Sequence, residues 1–220
     1  MSSIVINYGR QEKKMKKIIF TILSVLLCVG LLCGCGKKTN VDASTVFIDK
    51  KGKITSVDVE DLDKEYYDEE ELESYITDHV ADFTEKNGDT VEKVSFTVKE
   101  GIAKLQMEYD SCEAYTGFNG IELFHGTVVA AQAEGYDFDM EFCGVDAEAE
   151  EGKGKAFTKE DVLADDDNKV AVIKANIDVQ VPGKILFVSA KDTKVTSKNT
   201  VSITGAGTSE EAGLTYIIYK

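Results

Sequence analysis

The sequence predicts an α+β fold, a mainly antiparallel sheet with one or two packed helices and a β-rich C-terminal part. Three observations carry that prediction. Residues 68–87 hold an apolar stripe at helical spacing, with Leu72, Tyr75, Ile76, His79, Val80 and Phe83 at i, i+3, i+4, i+7, i+8 and i+11. Residues 91–113 alternate apolar and polar on both sides of a Glu100-Gly101 turn. From residue 170 onward, short β-branched runs recur between turn signals, and a closing TYIIYK run suits a strand docked in the sheet.

The chain opens differently. Lys13, Lys14, Lys16 and Lys17 form a basic cluster, followed by an uncharged run of fifteen residues, 18–32. Such a run matches the apolar core of a secretory signal and falls short of the ~20 residues of a comfortable bilayer-spanning helix. It ends in Leu32-Cys33-Gly34-Cys35. This order resembles the lipobox of bacterial lipoproteins, Leu, a variable residue, Gly and then the Cys that takes the lipid. The resemblance implies removal of residues 1–34 and diacylglyceryl (palmitate-type) modification of the Cys35 thiol. It places the mature chain on the extracytoplasmic face of the cell membrane. Two acyl chains suffice for stable anchoring. Cys33 departs from the small or aliphatic residue usual there. Residues 1–12 read as an extension from an upstream start, with Met15 the expected initiator.

The expected domain plan is therefore a signal peptide at 1–34, a lipidated tether at 35–44, and a single extracytoplasmic domain at 45–220, with a point of subdivision near the charged, glycine-bearing stretch 146–155. The whole chain carries 25 basic and 40 acidic residues; the mature part keeps 20 and 39, a net charge of −19. A surface of that sign repels nucleic acid and favours cationic partners or solubility. One proline argues against a proline-rich stalk.

Within the mature domain, residues 45–49 and 54–59 read as a hairpin across Lys50-Lys51-Gly52-Lys53. Asp68 with Glu71 reads as the cap of the 68–87 helix, and Gly88 as its stop. Residues 115–120, Tyr-Thr-Gly-Phe-Asn-Gly, read as a glycine- and aromatic-rich loop. Residues 121–134 lean to helix, with strand the alternative around 126–129, and 136–143 alternate as a strand through Phe138, Met140 and Phe142. A short helix is expected at 159–163 behind Thr158. Strands are expected at 170–177, 179–181, 185–189, 195–203 and 214–219, with Pro182-Gly183 a type II turn signature. The run from Val181 to Ser189 and the closing Tyr216-Ile217-Ile218-Tyr219 resemble a class of uncharacterised surface lipoproteins of Gram-positive gut bacteria, a resemblance that implies no activity.

Chemistry is sparse. With Cys28 and Cys33 removed and Cys35 lipidated, Cys112 and Cys143 remain, and outside the cytoplasm they can pair as a disulfide or stay as free buried thiols. No CxxC occurs, His79 and His125 lie far apart, and neither a metal nor a cofactor is expected. Asp165-Asp166-Asp167 lacks the glycine and alternation of a calcium loop and reads as a solvated turn. Asp137 and Asp139 read as a solvent-facing strand pair. No G-x-S-x-G occurs, and Gly205-Ala206-Gly207 reads as a hairpin turn, since no G-K-[ST] follows. No catalytic residue is assigned. The candidate ligand-binding residues are Tyr115, Phe118 and His125, where aromatics and glycines on a loop can cradle a sugar or peptide.

These observations point to a membrane-anchored, non-enzymatic binding or interaction domain, with an envelope protein or polymer as the expected ligand. The alternatives are an envelope-polymer hydrolase (glycosidase or peptidase) and an accessory subunit of an envelope complex.

Overall fold

The computed structural model describes residues 38–62, 64, 67–145, 155–205 and 212–220. The expected signal peptide, Cys35, the stretch 146–154 and Ala206-Gly207 lie outside the described residues.

Among the described residues the strands form two sheets. The first has seven strands: β1 (Thr45–Ile48), β2 (Ile54–Asp61), β3 (Val91–Lys99), β4 (Ile102–Tyr109), β9 (Asp178–Gln180), β11 (Thr193–Ser197) and β12 (Thr200–Ile203), in the order β11-β12-β9-β1-β2-β4-β3. The second has six: β5 (Leu123–Thr127), β6 (Phe142–Gly144), β7 (Ala156–Phe157), β8 (Lys169–Ile173), β10 (Ile185–Ser189) and β13 (Thr215–Tyr219), in the order β5-β8-β13-β10-β6-β7. The described pairs are antiparallel, save that β1 and β9 run parallel. Four helices accompany them: α1 (Glu69–Asn87), α2 (Cys112–Asn119), α3 (Val128–Ala133) and α4 (Lys159–Val162). This is the α+β architecture expected, with the strands concentrated toward the C-terminus.

Strands from before and after residues 146–155 mix in both sheets. β9, β11 and β12 extend the sheet of β1–β4, while β5 and β6 share a sheet with β8, β10 and β13.

The two sheets pack face to face. One hydrophobic cluster takes Val46, Ile48 and Ile54, together with Leu105, Met107 and Tyr109, from the first sheet and Ala171, Ile173, Ile185 and Ile217 from the second. Leu72 and Ile76 of α1 and Cys112, Tyr115 and Phe118 of α2 close the same cluster. The opposite face of the second sheet carries Val170, Val172, Tyr216 and Ile218, which pack with Val128 and Ala131 of α3, Val162 of α4 and the rings of Phe138 and Phe142. Strand residues that alternate between the two clusters, such as Val170/Ala171/Val172/Ile173, therefore bury both faces of this sheet, which is why β8 and β13 read as continuous apolar runs.

Local chemistry fixes several elements as expected. Asp68 caps α1 by accepting from the Glu71 N–H at 2.9 Å, and Gly88 ends it at φ 79°. Glu100 and Gly101 both adopt positive φ, 54° and 78°, the twist that matches a two-residue hairpin between β3 and β4. Thr158 and Asp161 form a reciprocal capping box at α4.

Five expectations are corrected. Residues 115–120 are not a loop, because α2 spans Cys112–Asn119, capped by the Ser111 hydroxyl, which accepts from the Ala114 N–H at 3.2 Å, and stopped by Gly120 at φ 68°. Gly117 lies against the Phe83 ring of α1, where an added Cβ would stand 3.4 Å away, an ordinary contact. Residues 121–134 are not one helix. Leu123–Thr127 pairs in full with β8, and helix begins only after Thr127, whose hydroxyl accepts from the Ala130 N–H. Residues 136–141 are not a strand, since the Asp137 carboxylate accepts from the Asp139 N–H at 2.8 Å and the Phe138 carbonyl from the Met140 N–H, both local turns. Residues 195–203 hold a hairpin, β11–β12, rather than one strand. Pro182-Gly183 also lacks type II geometry, as Gly183 is not among the positive-φ glycines. Its need for glycine is steric: a Cβ would meet the Lys220 carbonyl oxygen at 2.5 Å.

Candidate functional site

The expected binding residues do not come together as a surface. Tyr115 and Phe118 are buried on α2. Tyr115 meets Tyr109 edge-on at 5.1 Å, and Phe118 sits between His79 at 4.7 Å and Phe83 at 5.4 Å. Burial first, and then Asp58, pushes the Tyr115 and Tyr109 phenols upward, so both stay neutral. These aromatics are core anchors. His125 lies apart on β5, half-buried, its Nε2 facing the Tyr219 hydroxyl and its ring parallel to the Tyr219 ring. Desolvation and Lys169 lower its pKa, against a smaller opposing pull from Asp49. The Tyr219 phenol is raised by burial, so it stays protonated while its hydroxyl shares a hydrogen bond with Nε2.

Cys112 and Cys143 are unbridged. Burial, and secondarily Glu113, pushes the Cys112 thiol up to about 12, the reverse of what a nucleophile needs. The acidic groups singled out by sequence have structural partners. Asp139 pairs with Lys159 at 3.3 Å, and Asp165 with Lys220 at 2.7 Å. Among the described residues no group of three or more His, Cys, Asp or Glu side chains is placed to hold a metal ion.

The structure instead offers a cleft of about 450 Å³ where strands of both sheets end together. Ser189 closes β10, Ile203 closes β12 and Thr215 opens β13; between them stand Asn176, Lys191 and Asp192, with Met140 and Leu214 on the apolar side. The volume falls within the range of small-ligand pockets. Residues 190–192 cross from the second sheet to the first. Asp192 holds φ 59°, a left-handed conformation that aspartate tolerates better than most residues, fixed by its carbonyl accepting from the Thr204 N–H at 2.9 Å. Gly205 keeps the cleft open beside Asn176, since a Cβ there would lie 2.7 Å from the Asn176 Oδ1. The Ser189 hydroxyl is committed to the fold, accepting from the Tyr216 N–H at 2.6 Å. The polar side chains lining it include the Asn176 amide, the Glu141 and Asp192 carboxylates and the Lys191 ammonium, which stands 3.9 Å from the Asp192 carboxylate, around an apolar wall. Sequence reading missed this cleft because its residues come from five separate segments, none with a motif of its own.

A second, shallower concavity of about 570 Å³ lies on the α3–α4 side, lined by Gln132, Tyr136, Asp137, Phe138, Lys159 and Glu160. There the Tyr136 hydroxyl donates to the Glu122 carboxylate at 3.0 Å.

Fold and cleft together define a two-sheet α+β domain with a polar-apolar pocket at the sheet ends. No protein-family model, no curated protein and no solved structure matches this chain.

Proposed function

We propose that the protein is a lipid-anchored, extracytoplasmic binding protein, non-enzymatic, that takes a small ligand with both polar and apolar parts in the Asn176–Asp192 cleft. The observation that carries this reading is the cleft itself: a pocket of about 450 Å³ where strands of both sheets end, with Asp192 on a left-handed turn and Met140 and Leu214 on its apolar side. The sequence supports the anchor through the basic cluster, the apolar run and Leu32-Cys33-Gly34-Cys35.

Two measurements test it. Cys35→Ser should move the protein from the membrane fraction to the medium; unchanged fractionation would remove the anchor. A thermal-shift screen of small polar metabolites and envelope fragments should find a stabilising ligand whose effect is lost in Asp192→Gly and in Leu214→Trp. A ligand that stabilises both variants as well as the parent would place binding elsewhere.

A further inference from the structure

The first sheet has an outer face that should be open to solvent, yet part of it is as buried as the core. Pairing puts Thr45, Val57 and Gln106 side by side on β1, β2 and β4, on the face opposite Leu105 and Met107. Their exposures are 5 %, 2 % and 3 %. What covers them is the segment 38–44, which the sequence suggested would be a free tether. The Thr39 N–H donates to the Gln106 Oε1 at 2.9 Å. Lys104 donates to the Asn40 Oδ1 at 3.2 Å and to the Val41 carbonyl. Ser44 is tied to the Val59 backbone in both directions, at 2.9 and 3.1 Å. The segment is a strap laid over the sheet.

From this we infer that the outer face of the β2–β4–β3 region is the membrane-facing surface of the protein, held against lipid in one orientation. The inference rests on lipidation of Cys35. Only Gly36 and Lys37 separate Cys35 from Lys38, so the anchored thiol lies within about 11 Å of the strap; a free tether from Cys35 to Ser44 would allow about 30 Å. The strap's first fixed bond is above Gln106, midway along β4 and one strand in from the edge strand β3. A chain leaving from above the middle of a strand on so short a lead draws the β2–β4–β3 part of that face to the bilayer. By register this face is mixed in charge, with Lys99 and Lys104 beside Glu92, Glu108 and Asp61, and with Lys38 and Asp42 exposed on the strap, so the orientation rests on the short lead and not on charge. Because the sheets are stacked, the α3–α4 layer with its shallow groove points away from the membrane. The ligand cleft opens at the side, where the strands of both sheets end.

The test uses the protein purified from membranes with its lipid and reconstituted into phosphatidylethanolamine–phosphatidylglycerol vesicles. In a Cys143→Ser background, single cysteines at the exposed positions Thr97→Cys (strap side) and Gln132→Cys (α3 side) are reacted with a bulky polyethylene-glycol maleimide. The rate at position 97 should be several-fold slower than at 132 on vesicles and equal to it in detergent. Adding Gln106→Ala and Lys104→Ala, which release the strap, should raise the rate at 97 on vesicles. The mass of the N-terminal peptide reports the anchor separately. A lipidated Cys35 with equal rates at 97 and 132 on vesicles overturns the orientation alone. An unmodified Cys35 overturns the anchor and the orientation with it.

Discussion

The Thr39 N–H donates to the Gln106 side-chain oxygen across 67 positions of chain, at 2.9 Å, and so ties the segment behind the expected lipid site to the middle of β4. Gln106 points away from the hydrophobic core and is still only 3 % exposed. A buried amide that loses its partner costs about 1–3 kcal/mol, while its removal with the partner freed to water costs less. Gln106→Ala should therefore lower stability by about 1 kcal/mol in urea denaturation. In the same variant the Thr39 amide should exchange its hydrogen far faster, with the amides of β8 unchanged. Unchanged exchange at Thr39 would mean that the strap is held by other groups.

Gly183→Ala should be strongly destabilising. The added methyl would meet the backbone carbonyl of Lys220 at 2.5 Å, and that carbonyl is held by the Lys184 N–H at 2.8 Å. Backbone cannot swing aside as a long side chain can. Overpacking of this kind costs about 1–3 kcal/mol. A drop in the urea midpoint with an unchanged slope is the expected result; Gly213→Ala, where nothing lies within 4 Å, is the control.

Stability should fall as pH drops below about 6.5. The folded pKa of His125 is depressed, chiefly by burial and then by Lys169, so the unfolded chain takes up the proton first. The neutral ring bonded to Tyr219 is favoured above the unfolded pKa, and its contribution is lost as pH falls through the folded one. Denaturation midpoints at pH 8 and pH 5.5 should differ in the parent, and the difference should shrink in His125→Gln. An equal difference in both proteins would assign the effect to other groups.

Cys112 should be inert in the native state. With its thiol pushed up to about 12, its thiolate fraction at pH 8 is about 10⁻⁴, and burial adds a steric barrier. Iodoacetamide labelling followed by mass spectrometry should modify Cys112 only in denaturant, and Cys143, which is half-buried, sooner. Rapid native labelling of Cys112 would contradict its packing in α2.

The sequence made the local elements legible where side chains carry their own instructions. Asp68, the stripe from Leu72 to Phe83, and Gly88 define α1 without reference to anything distant. Glu100-Gly101 defines the β3–β4 turn in the same way. The miss at α2 was avoidable in part: Ser111 and Gly120 are a start and a stop, and Cys112, Tyr115 and Phe118 share a face. The glycine at 117, a poor helix former, hid the helix. Residues 136–141 misled for the opposite reason. Phe138 alternates with Met140 and Phe142 as a strand would, but its ring packs on Tyr216 at 5.2 Å while the backbone bonds to itself.

The sequence by itself determined the α+β class, the first helix and most of the strands, because each depends on the period or order of neighbouring residues. Only the tertiary structure decided that Leu123–Thr127 is a strand, that β9, β11 and β12 join the sheet begun by β1, that the cleft at the sheet ends forms from five segments, and that residues 38–44 form a strap. Those outcomes turn on which distant backbone edge or side chain is available to pair, and no local window of sequence contains that partner.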